Sequence, residues 1–147
     1  MTVIYKTAVV PFTAAQMYSL VNDIESYPEF LPWCHKATIL TQNNNALTAS
    51  ISLTTGKITQ SFTTENIMKP DNRIDMDLVE GPFKFLRGTW LFEQCEGQSC
   101  KVSINMDYEF RNRWIKYALD RMFGHIINTL ITTFTNRAFE IYGRHRN

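Results

Sequence analysis

Residue types that carry acid–base or nucleophilic chemistry are sparse and scattered in this sequence. Its three histidines are His35, His125 and His145, and nothing in the sequence pairs any of them with a serine or cysteine nucleophile. Nucleophilic catalysis needs a base within hydrogen-bond reach of the nucleophile and a third group that orients the base. The sequence therefore predicts no catalytic residue and favours a binding protein over an enzyme.

Two carboxylates beside a turn come nearest to an acid–base pair. Asp77 and Glu80 precede Gly81-Pro82, where two predicted strands meet. Residues two or three positions apart on a strand are only loosely neighbours, since successive side chains point to opposite faces and rise along the strand. We therefore interpret both groups as solvated carboxylates at a strand end.

The three cysteines, Cys34, Cys95 and Cys100, indicate the redox environment. An odd number of cysteines, in a chain whose first residues show no charged leader and apolar core, predicts a reducing compartment. Cys95 and Cys100 flank the turn at residues 96–99, yet we expect them to remain thiols. No CxxC motif or paired histidine completes a zinc site, so the sequence predicts no metal.

Composition predicts one globular domain over residues 1–147. Hydrophobic residues make up 44% and charged residues 20%, and the formal net charge is +1. A charge this close to zero gives no general attraction to nucleic acid, so we expect no DNA binding. The longest uncharged stretch that is mainly apolar, residues 122–135, is too short and too polar to span a bilayer. We expect a cytoplasmic protein, with peripheral contact at the inner membrane as an alternative.

The order of predicted elements is one strand, two short helices, about six strands and one long helix. Thr13 and Gln16 form a capping box that starts the first short helix, and the second covers residues 24–30. Strict alternation, clearest over residues 102–110, is typical of an antiparallel sheet with one buried and one solvated face. This order predicts an α+β domain whose inner sheet face is covered by the terminal helix.

The long helix, over about residues 112–142, carries more apolar surface than one narrow stripe. The apolar positions at three- and four-residue steps are Ile115, Leu119, Met122, Ile126, Leu130, Phe134, Ala138 and Ile141. A second set widens the apolar arc: Trp114, Tyr117, Phe123, Ile127 and Ile131. An arc this wide must be covered on more than one side. It predicts a helix lying across a curved sheet, with an apolar space between them that suits a hydrophobic ligand.

Two stretches, residues 21–34 and 79–90, carry a resemblance to a known family. The most specific part is Tyr27-Pro28-x-Phe30-Leu31-Pro32-x-Cys34. With the element order, these stretches resemble the coenzyme Q-binding START-domain proteins of the SRPBCC, Bet v 1-like superfamily. The similarity extends from Thr7 to Tyr142. It implies a helix-grip fold, with a curved antiparallel sheet, two short helices after the first strand and a long C-terminal helix across the sheet.

The resemblance also implies three functions. The first is non-catalytic binding of ubiquinone or another isoprenoid lipid, in support of respiratory electron transport, with no required cofactor. The second follows from bacterial members of the RatA type, and is binding to the large ribosomal subunit that blocks subunit association and translation initiation. The third is a polyketide cyclase-like enzyme, since the fold hosts such activities, although a fold alone is weak evidence for chemistry.

Apolar and aromatic residues on the inner sheet face, on the long helix and in the proline-rich corner, residues 27–33, are the candidates for holding the ligand. We expect ligand contacts from Tyr27, Phe30, Leu31, Trp33, Phe62, Met76, Phe83, Phe85, Trp90, Phe92, Met106, Tyr108, Met122, Phe123 and Ile126. Methionine side chains adapt to irregular ligands, and large aromatic rings supply much of any apolar wall.

Basic residues cluster where the long helix begins. They are Arg111, Arg113, Lys116 and Arg121. Positive charge at a helix N-terminus opposes the helix dipole, so local stability does not account for this cluster. It predicts a surface for an anionic partner, either phospholipid or the phosphates of ribosomal RNA.

Overall fold

The computed structural model describes residues 1–143, except for the side chain of Thr55. Its elements, in chain order, are β1 (Thr2–Val10), α1 (Ala14–Asn22), a 3₁₀ helix (Ile24–Glu29), β2 (Cys34–Gln42), β3 (Ala46–Thr55), β4 (Ile58–Lys69), β5 (Arg73–Glu80), β6 (Phe83–Gln94), β7 (Cys100–Phe110) and α2 (Arg113–Tyr142). The predicted order of elements is confirmed. The second short helix is of the 3₁₀ type and contains Pro28, which cannot donate to a longer helical ladder.

All seven strands form one antiparallel sheet in the order β1-β7-β6-β5-β4-β3-β2. Register shifts interrupt the pairing at Cys34/Lys36, Ile39/Thr41, Thr63/Thr64 and Phe83/Phe85. Such irregularities bend a strand and increase the local twist. The sheet therefore presents a curved inner face to the helices.

The inner face follows the predicted alternation. On β7, Val102, Ile104, Met106, Tyr108 and Phe110 are all buried, which confirms the prediction from residues 102–110. On β3, alternate residues are likewise buried in the core, among them Leu47, Ala49 and Leu53. A period of two places every second side chain of a strand on the same face, so these assignments need only local sequence.

The helix α2 packs its buried stripe over this face. Asn112 is its N-cap, and its Oδ1 accepts a hydrogen bond of 2.9 Å from the Ile115 backbone N–H. Among residues 1–143, none of the helices is long and apolar enough to cross a bilayer. The buried residues of α2, which form the stripe over the sheet, are Leu119, Phe123, Ile126, Ile127, Leu130, Ile131, Phe134 and Ala138.

The predicted apolar arc is too wide at the start of α2. Trp114 and Tyr117 are 75% and 91% exposed. Both lie on the side of the helix opposite Ile115 and Leu119, which face the core, because a step of one or two residues rotates a side chain by about 100° or 200°. The first turns of α2 therefore present aromatic rings to solvent, and only the later turns carry the broad buried face.

Short-range hydrogen bonds stabilise the segment between β1 and β2, which contains α1 and the 3₁₀ helix. The Thr13 Oγ1 atom accepts from the Gln16 backbone N–H at 3.1 Å, and the Gln16 Oε1 atom accepts from the Thr13 N–H at 3.0 Å. This pair confirms the predicted capping box. The buried Tyr27 hydroxyl donates to the carbonyl oxygen of Val21, which ties the 3₁₀ helix to α1.

Gly81 is a position where the backbone leaves no room for a side chain. Its φ is +153°, and a Cβ atom there would lie 2.6 Å from the Phe62 Cβ. We expect Gly81→Ala to lower the free energy of unfolding by about 2–4 kcal/mol, because backbone strain and a clash act together. Urea denaturation monitored by tryptophan fluorescence would measure the loss.

Gly97→Ala is the matched control. Gly97 also has a positive φ, of +66°, but nothing lies within 4 Å of the added Cβ. Backbone strain alone should cost about 1 kcal/mol there. Equal losses in the two variants would contradict a steric role for Gly81 against Phe62.

Candidate functional site

An apolar cavity lies between the inner face of the sheet and α2. The cavity has a volume of about 80 Å³. The enclosed room is therefore small, enough for a few waters but not for a long isoprenoid tail without movement of the walls. A concave pocket lined mainly by apolar side chains is the usual ligand site of a domain of this kind.

The walls come from nearly every element. The 3₁₀ corner, five strands and α2 contribute Ile24, Tyr27, Trp33, Ala49, Ile51, Leu53, Phe62, Thr64, Asn66, Met76, Leu86, Trp90, Met106, Phe123, Ile126, Ile127, Leu130 and Phe134. No lining residue is ionisable at neutral pH. A surface of this kind holds a guest by burial of apolar area, not by charge.

Gly88 lies beneath two methionine side chains of the cavity wall. It pairs with Met76 on β5 and Met106 on β7, so the three residues form one row across the sheet. A Cβ on Gly88 would lie 2.8 Å from both the Met106 Sδ and the Met76 Cε. The two methionine side chains therefore fold over the space that the glycine leaves, and thioether chains of this length change rotamer easily.

Thr64 and Asn66 are the polar exception in this wall. Both are 5% exposed, and both follow Phe62 at the inner-face parity of β4. The Thr64 hydroxyl donates to the Asn66 Oδ1 atom at 2.8 Å. Buried polar groups of this type are normally fully hydrogen-bonded. The pair therefore places a hydroxyl and an amide in the wall of an otherwise apolar cavity.

The proline-rich corner contacts the C-terminal half of α2. The Arg137 guanidinium lies 4.9 Å from the centre of the Phe30 ring, and its Nη2 atom is 3.3 Å from a carboxylate oxygen of Glu29. The Phe30 ring in turn packs edge-on against Phe134 at 5.3 Å. The proline-rich corner thus covers one end of the cavity and is joined to the helix mainly through Arg137 and aromatic contacts.

Of the residues expected to contact a ligand, eight line the cavity. They are Tyr27, Trp33, Phe62, Met76, Trp90, Met106, Phe123 and Ile126. They come from the corner, four strands and α2, so the structure brings together side chains that are up to about 100 positions apart in sequence.

The other seven lie outside the cavity wall. Phe83 and Tyr108 pack against Phe123, with ring centres at 5.1 and 4.8 Å, and Phe92 stacks on Trp90 at 6.0 Å. These rings support the wall from behind. The remaining four are Phe30, Leu31, Phe85 and Met122: Phe30 and Leu31 belong to the corner, Phe85 lies beneath the Arg87 guanidinium at 5.1 Å, and Met122 borders a shallow surface depression.

Sequence reasoning overlooked ten lining residues. They are Ile24, Ala49, Ile51, Leu53, Thr64, Asn66, Leu86, Ile127, Leu130 and Phe134. The alternation on β3 and the helical spacing on α2 already mark most of them as inward-facing. The signal for Thr64 and Asn66 was their shared parity with Phe62, since two polar residues at buried positions of a strand are unusual.

The groups that could carry out catalysis lie away from the cavity. His35, His125, Asp77 and Glu80 are exposed, and His145 lies outside the described residues. Burial raises the pKa of the Tyr27 phenol well above its ordinary value, so it stays protonated and donates to a backbone carbonyl. Within residues 1–143, no group of three or more His, Cys, Asp or Glu side chains could hold a metal ion.

The basic cluster lies on the solvent side of the first turns of α2. Arg113, Tyr117 and Arg121 occupy one row at four-residue steps, and Trp114 lies beside that row with the Arg113 guanidinium 5.7 Å from its ring. The fourth cation of the cluster, Lys116, is also exposed. Among residues 1–143, no ion pair includes a member of the cluster, although Arg111 donates to the Gly81 carbonyl.

Comparison with solved structures identifies the fold. The START superfamily protein from Mycobacterium smegmatis superposes with a TM-score of 0.80 at 19% identity, covering 95% of this chain and 98% of that one. The Zhui aromatase/cyclase from Streptomyces sp. R1128 gives a TM-score of 0.83 at 13% identity, covering 93% of each chain. At these identities the likeness concerns the fold alone, and it establishes a START-type helix-grip fold.

Sequence comparison identifies the family. Residues 10–135 match the family described as polyketide cyclase / dehydrase and lipid transport, and the chain belongs to it. The Ribosome association toxin RatA of Vibrio cholerae is 39% identical over 138 residues, which cover 94% of this chain and 96% of that protein. The mitochondrial Coenzyme Q-binding protein COQ10 of Dictyostelium discoideum is 29% identical, covering 87% of this chain and 64% of that protein.

The three free cysteines differ in their expected reactivity. Burial raises the pKa of the Cys34 and Cys100 thiols to about 11, whereas Cys95 is exposed. Because the thiolate is the reactive form, we expect a thiol reagent at pH 8 to modify native protein rapidly at Cys95 only. Absorbance titration should show one fast equivalent, and three after denaturation. Rapid labelling of native Cys95→Ser would contradict this assignment.

Proposed function

We propose that this protein is a non-catalytic carrier that binds a hydrophobic small molecule, most specifically a ubiquinone-type lipid, in the cavity between the sheet and α2. The observation that carries the proposal is the enclosed, almost wholly apolar cavity. The likeness to a coenzyme Q-binding protein supports the quinone, and the lipid-transport description of the family supports a carrier. In this role the protein would support respiratory electron transport from the cytoplasm, with peripheral contact at the membrane.

The physical basis of binding is burial of apolar area. Each Å² of apolar ligand surface removed from water contributes about 25 cal/mol, so an isoprenoid tail is held without a charged anchor. The cavity must enlarge to accept such a tail. Met76 and Met106 provide one route, since both flexible side chains lie over Gly88, and the corner joined to α2 through Arg137 provides an entrance.

The chemistry of the wall supports binding without catalysis. A cyclase or dehydratase needs a general acid or base that reaches the substrate. Among the residues that line the cavity, the polar groups are the Tyr27 hydroxyl, the Thr64–Asn66 pair and two indole N–H groups, and none of these titrates near neutral pH. We therefore place this chain with the binding members of its fold and not with the cyclases.

Filling the cavity tests the carrier proposal. Ala49 lines the cavity from β3 and is 2% exposed. We expect Ala49→Phe to weaken binding of a short-chain ubiquinone analogue by more than about tenfold, because the new ring occupies the space of the guest. Quenching of tryptophan fluorescence would report the affinity.

The control for this variant is Ser50→Phe, which adds the same ring to the opposite face of the same strand. It should bind the analogue as tightly as the unmodified protein. Unchanged affinity in Ala49→Phe, with a normal thermal transition, would place the ligand elsewhere. No measurable affinity in the unmodified protein would refute the carrier proposal.

A second function is favoured by the surface at the start of α2. We infer that this surface associates with the large ribosomal subunit and so opposes subunit association and translation initiation. Cations without carboxylate partners attract RNA phosphate, and exposed aromatic rings stack on unpaired bases. The likeness to ribosome association toxins at 39% identity supports this role. It does not exclude ligand binding, because the cavity lies on the other side of the helix.

Charge reversal tests the ribosomal role. We expect overproduction of the unmodified protein to raise the ratio of free subunits to assembled ribosomes in sucrose gradients. The double variant Arg113→Glu/Lys116→Glu should lose this effect, because it replaces two phosphate-attracting charges with repelling ones. Its quinone affinity should stay within about twofold of the original.

The matched control is Lys36→Glu/Lys57→Glu, which makes the same change in net charge at exposed positions away from α2. It should still shift the gradient profile. Equal loss in both double variants would indicate a dependence on net charge only. Loss of binding to anionic vesicles, with an unchanged gradient profile, would instead assign the α2 surface to a membrane.

A further inference from the structure

The Thr64–Asn66 pair leaves hydrogen-bonding capacity unused. The Thr64 hydroxyl donates to Asn66 Oδ1, so the carbonyl half of the amide has a partner. Within residues 1–143, no hydrogen bond engages the amide nitrogen of Asn66, although the residue is 95% buried and lines the cavity. An amide nitrogen carries two N–H donors, and Thr64 holds the group in one orientation.

The Asn66 amide nitrogen is not among the fully buried side-chain atoms of residues 1–143 that lack a hydrogen-bond partner, so it retains contact with the cavity. A guest without an acceptor would cover this donor and remove its hydration, at a cost in binding free energy, whereas a guest with an acceptor would hydrogen-bond to it. Leucine and alanine occupy the paired inner-face positions on β3, Leu47 beside Asn66 and Ala49 beside Thr64. The polar pair is therefore not required by the packing of this part of the sheet.

Asn66 lies in the same row of the sheet as the two flexible methionine side chains of the cavity wall. Asn66 pairs with Met76, Met76 with Gly88, and Gly88 with Met106, so the four residues form one continuous row across β4, β5, β6 and β7. Gly88 contributes no side chain to this row, and the Met76 and Met106 side chains lie over it. A flat ring that displaced the two methionines would lie over Gly88 with its edge towards Asn66.

We propose that Asn66, held by Thr64, is the donor that recognises a carbonyl oxygen on the ring of the bound lipid, and that this ring lies over Gly88. The inference rests on the proposed carrier function and adds the residue that recognises the ring of its ligand. The tail then follows the apolar wall of α2. A pure hydrocarbon would bury the same area and leave the amide unpaired.

Two probes with the same tail separate the contributions, decyl-1,4-benzoquinone and decylbenzene. The unmodified protein should bind the quinone about tenfold more tightly than the hydrocarbon, the difference expected from one buried hydrogen bond. Asn66→Leu should abolish this preference by weakening quinone binding while decylbenzene binding is kept or improved. The control Met68→Leu changes a buried inward-facing residue on the same strand and should keep the preference.

Infrared spectroscopy gives a readout that does not depend on a variant. A carbonyl that accepts a hydrogen bond should show a lower stretching frequency in the bound quinone than in hexane, and Asn66→Leu should reverse this shift. Equal affinity of the unmodified protein for both probes, or an unshifted carbonyl band, would overturn the role of Asn66 and leave the carrier function standing. Failure of the unmodified protein to bind either probe would refute the carrier function itself.

Discussion

The sheet is much wider than its single long helix, and this mismatch shapes the whole domain. Seven strands at about 4.8 Å spacing present an inner face roughly 29 Å wide, whereas a helix with its side chains is only about 10–12 Å across. One helix therefore cannot cover the whole face, even when the sheet curves around it. The short elements Ala14–Asn22 and Ile24–Glu29 cover part of the remainder, and large aromatic side chains fill most of what is left.

Many of these aromatic residues cluster at two positions in the middle of the long helix. Phe123 anchors one cluster against Phe83 and Tyr108, and Phe134 anchors the other against Trp90, with ring centres 4.8–5.6 Å apart. The two anchors are eleven positions apart in the chain, which corresponds to about 16 Å of helix. Phe123 and Phe134 both line the cavity, so the aromatic packing that stabilises the fold also forms part of the cavity wall.

The same helix separates two different kinds of surface. Its inner stripe is apolar and faces the cavity, whereas the solvent side of its first turns carries arginine, lysine, tryptophan and tyrosine. Cations at that end oppose the helix dipole, so their presence has a cost to local stability that a partner would offset. Because the two surfaces share no side chain, a change in one leaves the other intact, and binding of a lipid and association with a polyanion can be studied independently.

The elements and most of their inward faces could be predicted from the sequence, because strand alternation, helical spacing and the capping box of Thr13 and Gln16 depend only on neighbours a few residues away. Eight of the predicted ligand-contact residues, including Met76 and Met106, line the cavity. Which inward-facing residues border empty space, and which pack against another ring as Tyr108 and Phe83 do, depends on how distant segments pack together. A cavity is the volume left over where side chains from distant segments meet, so no local pattern specifies it. The exposure of Trp114 and Tyr117 was decided in the same way, by where the sheet offers the helix a surface to cover.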